Sequence, residues 1–411
     1  MNILLINHYA GSPKMGMEYR PYYLAKEWIN KGHKVVIIAA DNAHVRKIQP
    51  KIPLSFSSEI IDGIEYLWVK TPEYQGNGIA RVKNMFSFIY QLKRKASFLA
   101  KKYRPDIVIA SSTYPLDNYP AHKIAKLSGA IYLYEIHDLW PLSPMELGGM
   151  KWWHPFILWM QKAENYAYKH ADQVISMLPK TQEHTASHGL DLKKWHYIPN
   201  GLNLDEWEKP AELNHKSKEF IHTLRSDYKN LVAYTGSFGI ANALESFIQS
   251  ADFVSPKDIA LILVGQGPEK QNLMELATKY PNIYFMEPIP KNEIPSLLSQ
   301  FDILFIGLQR QKLFRFGISP NKLFDYMMAG KPVIQAIEAG NDMVKESGCG
   351  ISVEPENPSA IAKAITELTQ KSKEDLVAMG KKGKHYVTQN HDYKVLSDKF
   401  LDILNVGKQR S

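Results

Sequence analysis

Cysteine is almost missing from this 411-residue chain: Cys349 stands alone, so no internal disulfide can form. A single thiol fits a reducing compartment. No apolar run approaches the ~20 residues that a bilayer-spanning helix needs. The opening stretch MNILLINHYAGSP has no basic start and no cleavage signature. Its short apolar run is expected to form a first strand rather than a secretory leader. No two aspartates are separated by one residue, so a DxD metal motif is missing, and the spacing of His and Cys carries no zinc pattern. The loop HYAGSPKMG is not a GxGxxG loop, which argues against a nicotinamide-dependent dehydrogenase. A recognisable nucleic-acid module, low-complexity segments and short tandem repeats are missing too.

With 45% hydrophobic and 22% charged residues the chain can bury ordinary globular cores, and its length favours more than one domain. The formal charge is +8, which suits a nucleic acid, an anionic membrane surface or a polyanionic small molecule, and equally a basic soluble protein with no such partner. Strand and helix patterns alternate. NILLIN (2–7), a loop with Gly11, Pro13 and Gly16, a helix in EYRPYYLAKEWINKG, and HKVVIIAA form a parallel βαβ unit. Further strands are expected in PDIVIASS (105–112), AIYLYEIHD (130–138) and ADQVISML (171–178). Periodicity fades over 198–220 and then restarts with NLVAYTGS, IALILVGQGP, NIYFMEPI, FDILFIGL, KPVIQAI and GISVEP. The expected fold class is α/β, two doubly wound Rossmann-like domains, with residues 1–205 and 206–391 as the domains and a separate helix over 392–411.

The segment FRFGISPNKLFDYMMAGKPVI (314–334) carries the clearest chemistry. Ser319 is expected to cap a helix, with Pro320 in its first turn and Gly330 closing it. A helix N-terminus favours phosphate, and Lys322 adds a full cation there. Asp325 is placed roughly on the face of Lys322, where it could accept hydrogen bonds from a ribose diol. An ordinary capped helix with a Lys–Asp surface pair reads equally well. TGSFG (235–239), VGQGP (264–268) and YIPNGLN (197–203) place glycines after apolar runs, where backbone can approach a ligand. His137-Asp138 ends a strand, as a hydrogen-bonding or proton-relaying group or as a plain loop pair. MKWWHPFILWMQKAENYAY (150–168) gathers Trp152, Trp153, Phe156 and Trp159, and YQLKRKASFLAKKYR (90–104) is a basic helix. Together they could meet an anionic membrane surface, or pack as core and solvated face.

In order along nearly the whole chain, GMEYRPYYLAKEWINKGHKVVII, EIHDLWP, IPNGLNLDEW, YTGSFG, VGQGPEKQNL and ISPNKLFDYMMAGKPVI resemble the retaining GT-B glycosyltransferases of family 4, in particular the WbuB-like group of bacterial surface-polysaccharide enzymes. The resemblance implies a GT-B fold, two Rossmann-like domains facing an inter-domain cleft, with the acceptor on the N-terminal domain and the nucleotide sugar on the C-terminal one. The last helix would pack back on the first domain. Asp325 takes the place of the second glutamate of the family's Glu-x7-Glu motif, which holds ribose. Gly236, Ser237, Phe238 and Gly239, Asn200-Gly201, and Ser319, Pro320, Asn321 and Lys322 would surround the diphosphate, with Gly265 and Gly267 also on the donor side. Gly16 would approach from the other domain, and His137 matches the family histidine beside the transferred sugar.

Two departures stand out. Gly317 replaces the first glutamate of the motif, and GSFGIANALESF lacks the cations often found after that strand. Lys322, aided by Arg315, is therefore expected to carry the leaving-group charge, with no metal and no other cofactor. The implied reaction moves an N-acetylated hexosamine or a deoxy derivative from a UDP-sugar to a polyprenyl-diphosphate-linked saccharide, in the cytoplasm or at the inner face of its membrane. Trp152, Trp153 and Trp159 would serve the membrane or acceptor side, and no nucleic acid is expected. A nucleotide-sugar 2-epimerase of the same fold and a non-catalytic basic binding protein are the alternatives.

Overall fold

In the computed structural model, which describes residues 1–16, 19–76 and 78–408, the chain separates into two compact units. The first comprises Met1–Asn200 and resumes at Tyr393; the second is Gly201–Asp392. The division falls inside the Asn-Gly turn rather than after residue 205.

The first unit holds β1 (Asn2–Ile6), β2 (Lys34–Ala40), β3 (Ser57–Ile61), β4 (Ile64–Val69), β5 (Ile107–Ala110), β6 (Ile131–Ile136), β7 (Gln173–Ser176) and β8 (Trp195–Tyr197). They form one sheet in the order β3-β4-β2-β1-β5-β6-β7-β8. All neighbours are parallel except β3 and β4. That hairpin turns on Asp62-Gly63, both at positive φ (50° and 88°), as a tight two-residue turn demands. β1, β2 and β5 are apolar on both faces because helices cover a parallel sheet on both sides. The helix Arg20–Asn30 packs against the C-terminal helix Tyr393–Lys408. Tyr23 stacks on Tyr393 and Trp28 meets Phe400 edge-on, with ring centroids 5.0 Å apart in both pairs.

The second unit holds β9 (Asn230–Ser237), β10 (Ile259–Gln266), β11 (Ile283–Met286), β12 (Ile303–Gly307), β13 (Val333–Ala336) and β14 (Gly350–Val353). This all-parallel sheet runs β11-β10-β9-β12-β13-β14. Alternate residues of β9 feed two cores: Leu231 and Ala233 on one face, Val232 and Tyr234 on the other. Strand order reverses between β1 and β5 in the first sheet and between β9 and β12 in the second. Open α/β sheets bind ligands outside the carboxyl ends of strands at such reversals.

Candidate active site

At the reversal of the second sheet, β9 ends on Gly236-Ser237 and the helix Asn321–Met328 begins nearby. Lys322 reaches back towards β9. Its Nζ lies 2.7 Å from Tyr234 Oη and 2.8 Å from Asn242 Oδ1, and 4.5 Å from the Tyr234 ring centre. Tyr234 Oη and Asn242 Nδ2 both donate to the Ser237 carbonyl, at 2.7 and 3.0 Å. Tyr326 Oη accepts from the Thr235 amide at 2.8 Å and donates to its carbonyl at 3.0 Å, fixing the strand end. Gly236 has φ +146°, and a Cβ there would sit 3.1 Å from the lysine nitrogen. The missing side chain therefore makes room for an ammonium. Among the described residues no carboxylate pairs with Lys322, and burial pulls its pKa down to about 8.

Several expectations about this segment are corrected. Pro320, extended at ψ 122°, occupies the N-cap position in place of Ser319. Lys322 and Asp325 do not form a pair. The lysine leans towards the helix N-terminus, the ordinary direction for a long helical side chain. Asp325 instead sits in the field of the Lys291–Glu206 ion pair (2.9 Å). Its pKa is pushed up to about 7, chiefly by burial, with Lys291 opposing and Glu206 adding. Arg315 is exposed, donates to the Lys312 carbonyl at 2.6 Å and lies over Phe316, within its own turn.

The glycines divide by use. Gly239 faces open space, with nothing closer than 3.8 Å to a Cβ. Gly265 and Gly267 are required by the protein itself: a Cβ would fall 1.8 Å from the Gly236 carbonyl and 2.3 Å from that of Phe238. Their close approach is loop against loop, not loop against ligand. Phe238 is a core residue at 0% exposure; its amide donates to Gln266 and its carbonyl accepts from Glu269. Gly317 has φ +102°, so a glutamate there would be strained as well as absent. Asn321 is exposed, and Gly201 is the buried first residue of its unit, following Asn200 at the end of the other.

In the first unit, His137 follows β6 with its side chain 7% exposed. Its Nε2 lies 3.0 Å from Glu135 Oε2 and 2.8 Å from Ser111 Oγ, and Ser111 donates to the same carboxylate oxygen at 2.6 Å. Arg20 closes the group: Nε donates to Glu135 Oε1 at 3.0 Å, Nη2 lies 2.9 Å from the same atom and donates to the Ile198 carbonyl, and Nη1 donates to the Pro199 carbonyl. Burial alone would raise the Glu135 pKa, but Arg20, then His137 and the hydrogen bonds, hold it far below the usual carboxylate range. Asp138 does not serve His137; it accepts from the Leu139 amide, Trp140 and Ser143. Gly16 has φ +109°, and a Cβ would sit 3.1 Å from the Lys47 amide nitrogen. Asp117, wholly buried behind β5, accepts from the Ser112 amide at 2.9 Å, and burial pushes its pKa up to about 7.

Trp152 and Trp153 are 67% and 60% exposed, so they do not pack into the core. Trp159 stacks on Phe86 at 4.0 Å, which joins the Trp-rich helix Pro155–His170 to the basic helix Ile79–Tyr103. No helix among the described residues is long and apolar enough to cross a membrane. One group there could hold a metal ion, Glu164, His184 and His188, which sequence spacing did not reveal. Its carboxylate is already bonded by His184, Tyr168 and Gln161. Sequence reading also passed over Tyr234, Asn242, Arg20, Glu135 and Ser111. Only EIHDLWP, where Glu135 alternates with His137 on one face of the strand, carried a usable hint.

Residues 15–206 match the family Glycosyltransferase Family 4, and residues 229–371 match Glycosyl transferases group 1. The probable glycosyltransferase WbjE of Pseudomonas aeruginosa is 21% identical over 79% of this chain and 78% of its own length. WcaI of Escherichia coli, a putative colanic acid biosynthesis glycosyl transferase, is 22% identical over 86% and 88%. HepE of Anabaena, solved with UDP and glucose, superposes with a TM-score of 0.67 at 14% identity, covering 98% of this chain and 99% of its own. The chain is a glycosyltransferase of the GT-B fold, its N-terminal part matching the family 4 model and its C-terminal part the group 1 model.

Proposed function

We propose that this enzyme is a metal-independent, retaining, WbuB-like transferase. It moves an N-acetylated hexosamine or a deoxy derivative from a UDP-sugar to a polyprenyl-diphosphate-linked saccharide in surface-polysaccharide synthesis. The observation that carries this reading is Lys322, a half-buried ammonium held by neutral groups beside the open Gly236–Gly239 turn. A cation without a counter-ion at a helix N-terminus is suited to a diphosphate. UDP bound in the HepE structure of similar fold and colanic acid biosynthesis in the name of WcaI support the donor and pathway class.

In the proposed mechanism the departing diphosphate is stabilised by Lys322 and the first backbone amides of the helix Asn321–Met328, as electrostatic preorganisation requires. Ser319 and the Gly236 and Gly239 turn are assigned to the same anion. Asp325 accepts from the ribose hydroxyls. The acceptor attacks on the face the diphosphate leaves, and a phosphate oxygen takes its proton, so no strong protein base is needed. His137 orients the transferred sugar. Thermal-shift titration with UDP, GDP, ADP and several UDP-sugars, with and without EDTA, tests the donor; selective stabilisation by UDP compounds is expected, unchanged by the chelator. A product of inverted anomeric configuration would overturn retention.

The exposed Trp152–Trp159 segment and the basic helix beside it support docking to an anionic membrane face, where tryptophan is favoured. The protein is expected to sediment with phosphatidylglycerol vesicles, and Trp152→Ser/Trp153→Ser to lower that binding about tenfold. Wild-type protein that ignores such vesicles at low salt would end the membrane reading.

A further inference from the structure

Beyond the strand-end histidine lies a buried charge arrangement that the reading above does not use. Arg20, from the helix after β1, spans two targets. It meets Glu135 on β6 through two nitrogens, and it grips the carbonyls of Ile198 and Pro199, the last residues before the chain leaves the first unit at Asn200. Glu135 and Arg20 are 1% and 4% exposed, so water contributes little to either charge. The carboxylate is ionised and can only accept, and Ser111 already directs its proton to Oε2. His137 Nε2, close to both Oε2 and Ser111 Oγ, must therefore carry a hydrogen and donate it. That fixes the imidazole's tautomer and ring plane from behind, as a carboxylate does for a working histidine elsewhere.

We propose that Glu135 and Arg20 are positioning residues for His137: Glu135 holds the imidazole through Nε2, and Arg20 neutralises that carboxylate and ties it to the backbone at Ile198 and Pro199. Arg20 spares the enzyme an uncompensated buried anion, which alone would be costly. The role in turnover rests on the proposal that His137 faces the transferred sugar; the orienting role does not.

Glu135→Gln is the sharpest variant, because it keeps shape and hydrogen-bonding length while removing the charge. The full chain, labelled at histidine with ¹³C and ¹⁵N, is titrated by NMR, and the His137 signals are identified by their loss in His137→Ala. In the parent protein His137 is expected to hold Nε2–H as the neutral tautomer. Glu135→Gln should lower the His137 pKa by about one unit or more, since an anion beside it no longer stabilises the imidazolium. An unchanged pKa and tautomer would overturn the proposal. A second readout is a double-mutant cycle on UDP release from UDP-N-acetylglucosamine. Glu135→Gln should lower kcat about tenfold with little change in KM, and should cost nothing further once His137 is alanine. Multiplicative losses would show Glu135 acting independently and sink the coupling. Full activity in His137→Ala alone would instead remove the sugar-orienting role of His137, leaving the NMR result to judge Glu135. Arg20→Lys, which keeps the charge but not the fork, should free the Ile198 and Pro199 carbonyls and, by leaving the Glu135 anion less neutralised, produce a smaller shift of the opposite sign.

Discussion

The two sheets treat charge at their reversal points in opposite ways. In the first unit, Arg20, Glu135 and His137 are buried together and satisfy one another. In the second, Lys322 has, among the described residues, a phenol and an amide oxygen as its hydrogen-bond partners, and burial raises the pKa of Asp325. The first arrangement is complete as it stands and serves geometry. The second has room for an opposite charge from a ligand, which is what the proposed diphosphate contact would supply.

The sharpest way to break this contrast is to remove one charge from each side. Arg20→Ala strands the buried Glu135 anion, so chemical denaturation should show a loss of about 3–5 kcal/mol. Lys322→Ala should instead leave the unfolding midpoint within about 2 °C of the parent while lowering kcat about 100- to 1,000-fold. Equal destabilisation by both would erase the distinction.

A gentler probe is the pH dependence of UDP affinity, followed by calorimetry. Anion binding needs Lys322 charged, so affinity should fall as pH rises through about 8. The proposed ribose contact is stronger with Asp325 ionised, so affinity should also fall as pH drops through about 7. A maximum between the two, with roughly tenfold losses beyond each limb, is expected. Lys322→Met should flatten only the alkaline limb and Asp325→Asn only the acid limb.

The smallest effect concerns a buried acid of the first unit whose burial outweighs the hydrogen bonds from Ser112 and the field of His137. Asp117 has a raised pKa in the fold, so the stability linked to its proton is fully present at low pH and drains away as pH rises from about 4 to about 7. Asp117→Asn should melt as the parent does near pH 4 and a few degrees higher at pH 8, on the order of 2–4 °C. A parent that gains stability relative to the variant over that range would contradict it.

Much of the architecture was legible because the second sheet is wholly parallel, the first is parallel apart from its β3–β4 hairpin, and their central strands are continuous apolar runs, as in NILLIN and IALILVG. The β3–β4 hairpin went unread although EIIDGIEYLWV carries an Asp-Gly turn between apolar segments. The site was legible only where residue type and local position suffice. Lys322 after Pro320 could be found, but not that Tyr234 and Asn242, 88 and 80 residues earlier, hold it. Spacing of three suggested a Lys322–Asp325 pair, and side-chain direction undid it. Glycines after strands looked alike in sequence; only geometry separates Gly236, which admits an ammonium, from Gly265, which admits another loop.

The helix Tyr393–Lys408 returns to the first unit, where Leu396, Phe400 and Leu404 are wholly buried in the same core as Trp28. The second unit is thus an unbroken stretch inserted into the first. On the ribosome, Gly201–Asp392 can close on its own residues as they emerge. The first unit, though synthesised earlier, lacks one wall until those 192 residues have followed it, a delay of roughly 10–40 s at ordinary elongation rates. The half made first is the half finished last.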